Sequence, residues 1–158
     1  MNFTSKYLTE IGWLEIKGNE SEIHSVLFYD EEPFTTEFQP EVAIKLIAQL
    51  DDYFKKGEWN FDVKLNPKGT EFQKIVWNEL QKIPYGKTIS YLDLARNLGD
   101  EKVIRAAASA NGKNPISILI PCHRVIGKDG SLTGYAGGIR RKKFLLELEK
   151  GIHSPTLF

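Results

Sequence analysis

The chain has 158 residues, with 21 Lys/Arg balanced by 21 Asp/Glu and a formal net charge of zero. That length can bury a substantial core in one compact unit or two small ones, and no apolar run approaches the roughly 18 residues of a membrane span. The opening residues, with Asn2, Thr4, Lys6 and Glu10, lack a signal-peptide core, and the single cysteine excludes an internal disulfide framework, so a cytoplasmic address is expected.

In chain order, residues 8–30 read as strands, with Ile11, Trp13, Val26 and Phe28 in β-favouring runs and a turn signal at Lys17-Gly18-Asn19-Glu20. From Pro40 a helix is marked by Ala43, Leu46, Ile47, Leu50, Tyr53 and Phe54 at helical spacing, and Gly57 ends it. Residues 61–65 alternate like a short strand, and Asn66-Pro67-Lys68-Gly69 breaks the chain. A second helix opens near Thr70, with Phe72, Ile75, Val76 and Leu80 on one face, and stops at Pro84-Tyr85-Gly86. Ser90 with Asp93 has the spacing of a capping box, ahead of a stripe of Tyr91, Leu94, Ala95 and Leu98. After Gly99-Asp100 another short helix carries Val103, Ala106, Ala107 and Ala110 on one face, and the pair has the form of a helix-turn-helix. The pattern predicts an α/β (α+β) fold. A small N-terminal β-sheet-plus-helix subdomain, residues 1–66, precedes a mostly helical C-terminal domain, residues 67–158.

Zero net charge conceals a division. Residues 1–79 carry 8 Lys/Arg and 15 Asp/Glu, a net of −7, whereas residues 80–143 carry 12 and 4, a net of +8. A basic half of this kind is the electrostatic footprint of nucleic-acid binding, with an uneven soluble surface as the plainer alternative. On the second short helix Lys102, Arg105, Ser109 and Lys113 share the face opposite the alanines. Arg105 therefore points to solvent or to a partner, and the small Ala106 and Ala108 beside it allow close approach to another surface.

Cys122 is followed directly by His123 and preceded by the strand-like run 116–120. A lone thiol beside an imidazole is a candidate nucleophile, and a buried structural thiol is the alternative. Adjacent residues on an extended strand point to opposite faces, so His123 serves Cys122 only through a bend or a bridging water. His24, His123 and His153 show no metal-ligand spacing with the one cysteine, and no phosphate-binding glycine loop appears, so no metal and no organic cofactor is expected.

The ordered segments Gly69-Thr70, Phe72-Gln73, Val76-Trp77, Ile83-Pro84-Tyr85-Gly86, Ser90-Tyr91, Arg105-Ala106, Asn114-Pro115, Pro121-Cys122-His123-Arg124-Val125, Gly134-Tyr135-Ala136-Gly137-Gly138 and Leu145-Leu146 with Glu149 span about 69–151. In this order the chain resembles the O6-alkylguanine-DNA alkyltransferases, also called methylated-DNA–protein-cysteine methyltransferases. The resemblance implies a monomer that acts on double-stranded DNA carrying O6-alkylguanine and moves the alkyl group irreversibly to Cys122. It implies a water between Cys122 and His123, Glu149 orienting the imidazole, Tyr91 donating a proton to the departing guanine, and Asn114 as a hinge. Arg105, with Tyr91, Ala106, Ala108 and Lys128, would meet DNA, Arg105 filling the stack left by the extruded base. Tyr135 would stack on the guanine, with backbone groups near Val125 and Ala136 reading its edge. Two competing functions stay open. A thiol hydrolase would use Cys122 and His123 but gives Arg105 no role, and a non-catalytic alkylated-base sensor commonly has tryptophan where this chain has Cys122.

Overall fold

The computed structural model describes residues 1–151 and divides into two compact units: Met1–Lys68 with Pro115–Ser117, and Gly69–Asn114 with residues 118–151. The first unit holds an antiparallel sheet in the order β1 (Asn2–Thr9), β2 (Gly12–Asn19), β3 (Ile23–Tyr29). Alternation buries Leu14 and Ile16 on β2; Phe3, Ile23 and Val26 are also buried, and Ile23 and Val26 are three apart because the register shifts between Lys17 and Gly18. Helix α1 (Glu41–Lys56) buries Val42, Ala43, Leu46, Leu50, Tyr53 and Phe54, and Gly57 closes it in the left-handed region at φ 66°.

The first sheet corrects two expectations. Lys17, Gly18 and Asn19 lie inside β2, and the reversal follows them, where Asn19 Oδ1 accepts from the amides of Ser21 and Glu22. The register shifts at Lys17 and Gly18, and a Cβ on Gly18 would lie 2.1 Å from the Glu22 carbonyl oxygen. The glycine answers a close backbone approach rather than a turn. Residues 61–65 form no strand, and their alternation ends in a single parallel bridge between Ile23 and Leu65.

The second unit begins with α2 (Glu71–Leu80), whose Thr70 N-cap and Gln73 form a reciprocal capping box. Its buried face is Val76, Trp77 and Leu80, while Ile75 is exposed, so the apolar stripe is rotated from the expected one. Trp77 settles that rotation: its indole donates to the Ala110 carbonyl at 2.8 Å. Strand β4 (Ile89–Ser90) leads into α3 (Tyr91–Asn97), again through a capping box, Ser90 with Asp93. Gly99, at φ 97°, turns the chain towards α4 (Ile104–Gly112), completing the helix-turn-helix. Strand β5 (Val125–Ile126) pairs with β4 in parallel, and α5 (Ile139–Glu149) ends the described chain. No described helix is long and apolar enough to cross a membrane.

Candidate active site

The run 116–120 is a buried turn, not a strand, despite its β-branched composition. Ile118 sits at φ 73°, a region that β-branched residues rarely enter. Pro121 follows at φ −81° and ψ 63°, the geometry of an inverse γ-turn, and the Cys122 amide accordingly donates to the Ile120 carbonyl at 2.8 Å. Cys122–Arg124 then form one 3-10 turn. Proline has no amide hydrogen to lose and its ring fixes φ, so a Pro-Cys pair suits a bend that a strand would forbid. The bend removes the objection that neighbours on a strand face apart.

Cys122 and His123 are both buried, the imidazole completely. His123 Nε2 lies 2.6 Å from Glu149 Oε2, and Glu149 Oε1 accepts from Arg124 Nε at 2.7 Å and, at 3.4 Å, from the Gly86 amide. Arg124 also donates from Nη1 to the Ile83 carbonyl at 2.7 Å. Burial works against the carboxylate, yet the His123 hydrogen bond and the Arg124 guanidinium hold Glu149 down at about 2. Burial lowers the imidazole, so His123 is neutral at neutral pH, with its proton on Nε2 towards the carboxylate. The lone pair is then on Nδ1, which is buried and has no hydrogen-bond partner among the described residues. That is the arrangement of a general base.

The thiol itself is held protonated. Burial pushes Cys122 up to about 11, against the Asn114 side-chain hydrogen bond and the charge of Lys142, which both pull it down. Asn114, beyond the end of α4, also donates from Nδ2 to the Ile120 carbonyl at 2.7 Å.

Lys142 and Arg124 were invisible as site residues in the sequence. Lys142 stands among Arg140, Arg141 and Lys143 and reads as surface charge, yet it is fully buried. Its ammonium donates to the carbonyls of Val125 at 2.6 Å and Thr133 at 2.9 Å, and lies 3.5 Å from the Tyr91 hydroxyl. Burial lowers it to about 8. The only sequence signal was position: Lys142 lies three and seven residues before Leu145 and Glu149, on their face of α5.

Tyr91 occupies the first position of α3 and is half-buried, its hydroxyl donating to the Thr133 carbonyl at 2.9 Å. Val125 is buried and Lys142 occupies its carbonyl, while Tyr135 is buried and Ala136 exposed. Arg105, Ala106, Ser109 and Lys113 are exposed along α4, Ala108 is half-buried, and Ala107, Ala110 and Asn111 are buried. Ala106, expected on the buried face, lies on the outer one with Arg105. Lys128 is exposed in a turn closed by Asp129, whose carboxylate accepts from the Ser131 amide. Among the described residues no group of three or more His, Cys, Asp or Glu could hold a metal ion, and His153 lies outside them. Two clefts of about 480 Å³ and 640 Å³ lie on the first unit and contain none of these groups.

A buried thiol, an imidazole whose Nδ1 has no partner among the described residues and a charged carboxylate on its other nitrogen are the groups a nucleophile–base–orienter site requires. Residues 71–151 match the family profile described as 6-O-methylguanine DNA methyltransferase, DNA binding domain. A methylated-DNA–protein-cysteine methyltransferase of Mycolicibacterium paratuberculosis is 44% identical over 155 residues, 94% of this chain and 93% of that protein. One from Methanosarcina acetivorans is 57% identical over 101 residues, 64% of this chain and 65% of that protein. The crystal structure of Mycobacterium tuberculosis O6-methylguanine methyltransferase superposes with a TM-score of 0.84 at 42% identity, covering 99% of this chain and 98% of that one. The structure of Mycobacterium tuberculosis OGT in complex with DNA gives 0.85 at 42% identity, over 96% and 95%. The chain belongs to the methylated-DNA–protein-cysteine methyltransferase family.

Proposed function

We propose that the protein repairs DNA by moving the alkyl group of O6-alkylguanine to Cys122, once per molecule. The observation that carries this reading is a buried thiol one residue from a buried imidazole whose Nε2 is held by Glu149 and whose Nδ1 has no hydrogen-bond partner among the described residues. The proton of Cys122 passes to His123 Nδ1, through a water where the two atoms do not touch. The sulfur then attacks the alkyl carbon in line with the carbon–O6 bond, and the bond electrons leave with the guanine. The departing base takes a proton, which the Tyr91 hydroxyl can supply once it gives up Thr133, with the Lys142 ammonium beside it. A thioether remains. It has no carbonyl for water to attack, so the thiol is not regenerated.

A raised thiol pKa suits single use, because the resting sulfur is shielded from oxidants and stray electrophiles. The target atom lies inside a duplex, so the nucleotide must be extruded. Arg105, Ala106 and Ala108 on α4 would meet the duplex, with Arg105 filling the vacated stack by its planar guanidinium. Lys128 adds a phosphate contact, and Tyr135, Val125 and Ala136 bound the guanine. Asn114 links α4 to the cysteine turn. The protein acts as a monomer, and one unpaired cysteine supports a reducing, cytoplasmic setting. No metal or organic cofactor takes part.

The test is the intact mass of the protein after incubation with a duplex containing O6-methylguanine. One methyl group on Cys122 and no more is the expected result. Turnover beyond one equivalent, or methylation at another residue, overturns it.

A further inference from the structure

Asn111 lies in the last turn of α4, is 1% exposed, and donates from Nδ2 to the Cys122 carbonyl at 3.3 Å. Its Oδ1 is buried with no hydrogen-bond partner among the described residues. A buried acceptor left unmade costs about 1–3 kcal/mol, and leucine would fill the same space without that penalty. The amide is therefore a poor choice for packing alone.

Its position supplies a reason. Asn114 grips the Ile120 carbonyl and Asn111 the Cys122 carbonyl, so two side chains from the end of α4 hold the two carbonyls that bracket the Pro121–Cys122 peptide. The Trp77 indole fixes the carbonyl of Ala110 in the same turn. At the other end of α4, Arg105 and Ala106 are exposed, six and five residues earlier, or about 9 Å along the axis for Arg105. At 3.3 Å the Asn111 bond is long, with room to tighten when the helix is pushed inward.

We infer that Asn111 is a positioning residue that transmits the seating of α4 on DNA to the orientation of Cys122. This rests on the alkyl-transfer reading above. When the duplex presses on the outer face of α4, Asn111 draws the Cys122 carbonyl with the helix and turns the sulfur towards the extruded base. Free O6-benzylguanine applies no such pressure and gains nothing from the link.

The experiment compares single-turnover rates of Asn111→Leu and the unsubstituted chain on duplex O6-methylguanine and on free O6-benzylguanine. The duplex rate is expected to fall roughly tenfold, the factor carried by one hydrogen bond, while the free-base rate and the affinity for undamaged duplex stay nearly unchanged. Combined with Arg105→Ala, the duplex losses are expected to be less than additive, because both act through α4. Equal slowing on both substrates, additive losses, or no slowing at all would overturn the inference. If Asn111→Leu does not fold, Asn111→Ser is read by the same comparison. Absence of methyl transfer by the unsubstituted chain would instead overturn the function, a result distinct from each of these.

Discussion

Glu149 Oε2 meets His123 Nε2 at 2.6 Å with neither side chain reaching solvent, and this one contact decides which imidazole nitrogen keeps its lone pair. The carboxylate takes the proton-bearing nitrogen and leaves the lone pair on Nδ1. Arg124, on the other carboxylate oxygen at 2.7 Å, keeps Glu149 ionised in a site where burial alone would neutralise it. The three consecutive residues of the cysteine turn thus supply the proposed nucleophile, its proposed base and the counter-charge of the carboxylate that holds that base.

Glu149→Gln should disable both tasks. It leaves the Arg124 guanidinium buried without its counter-charge, which typically costs 3–5 kcal/mol, and frees the imidazole to change tautomer. Denaturant unfolding is expected to show a loss of that order, and alkyl transfer to slow. The sign with pH follows from the depressed carboxyl. Held at about 2 against an ordinary 4.5, it stabilises the fold fully above pH 4.5. That contribution, on the order of 3 kcal/mol, is lost as pH falls towards 2. The Gln variant should lack this part of the acid sensitivity. An acid profile identical in both proteins would show that Glu149 is not the ionised partner.

Lys142 should govern the thiol. Replacing it by Met removes a charge that pulls Cys122 down, so the thiol should titrate roughly one unit higher and react more slowly with iodoacetamide. As pH rises through about 8 the native ammonium loses its proton, so reaction with O6-benzylguanine should gain less with pH above that point. Lys142→Arg stays charged over this range, and its profile should keep rising. Superimposable profiles for Lys and Arg would reduce Lys142 to a strut between Val125 and Thr133.

Cys122→Ser should transfer no methyl group while binding duplex almost as well, because Arg105 and Ser109 on α4 and Lys113 just after it are exposed independently of the sulfur. Radiolabelled methylated duplex and a gel-shift titration read the two quantities separately. Methyl transfer retained by the Ser variant contradicts the assigned nucleophile.

Arg105→Ala should slow duplex repair by roughly tenfold or more, since unstacking a base costs a few kcal/mol that the guanidinium helps to offset, and leave free O6-benzylguanine largely unaffected. Duplex affinity should also fall steeply with added salt, as phosphate contacts release counterions. A binding constant indifferent to salt would locate the interface away from the basic half.

Much of this architecture is legible in the chain because its signals are local. Ser90 with Asp93 and Gly57 mark helix ends by short-range hydrogen bonds and a left-handed φ, and both stand as read; the start near Thr70 also holds, fixed by a capping box with Gln73. What escaped depends on partners distant in sequence. Ile75 and Trp77 compete for the inner face of α2, and the carbonyl of Ala110, 33 residues on, decides for Trp77. The run 116–120 has strand composition, but Asn114 and the Pro121 turn bend it. Lys142 and Arg124 look like ordinary surface charge until the carbonyls and the carboxylate that receive them are folded into place.

Three residues, Pro115–Ser117, belong to the first unit although Asn114 before them and Ile118 after them belong to the second. They hydrogen-bond β3, Val26 donating to the Pro115 carbonyl at 2.9 Å and Ser117 to the Val26 carbonyl at 2.8 Å. A chain cut after Lys68 would carry every residue of the cysteine site and still lose this splice. The backbone between Asn114 and the Ile118 kink would then lose its partners on β3, five residues upstream of Cys122 at its nearest. The region matched by the family profile, 71–151, contains residues 115–117 but not the β3 strand they bond. Trimming the amino-terminal sheet should therefore loosen the backbone ahead of Cys122, and slow the proposed transfer, without removing a single candidate reactive group.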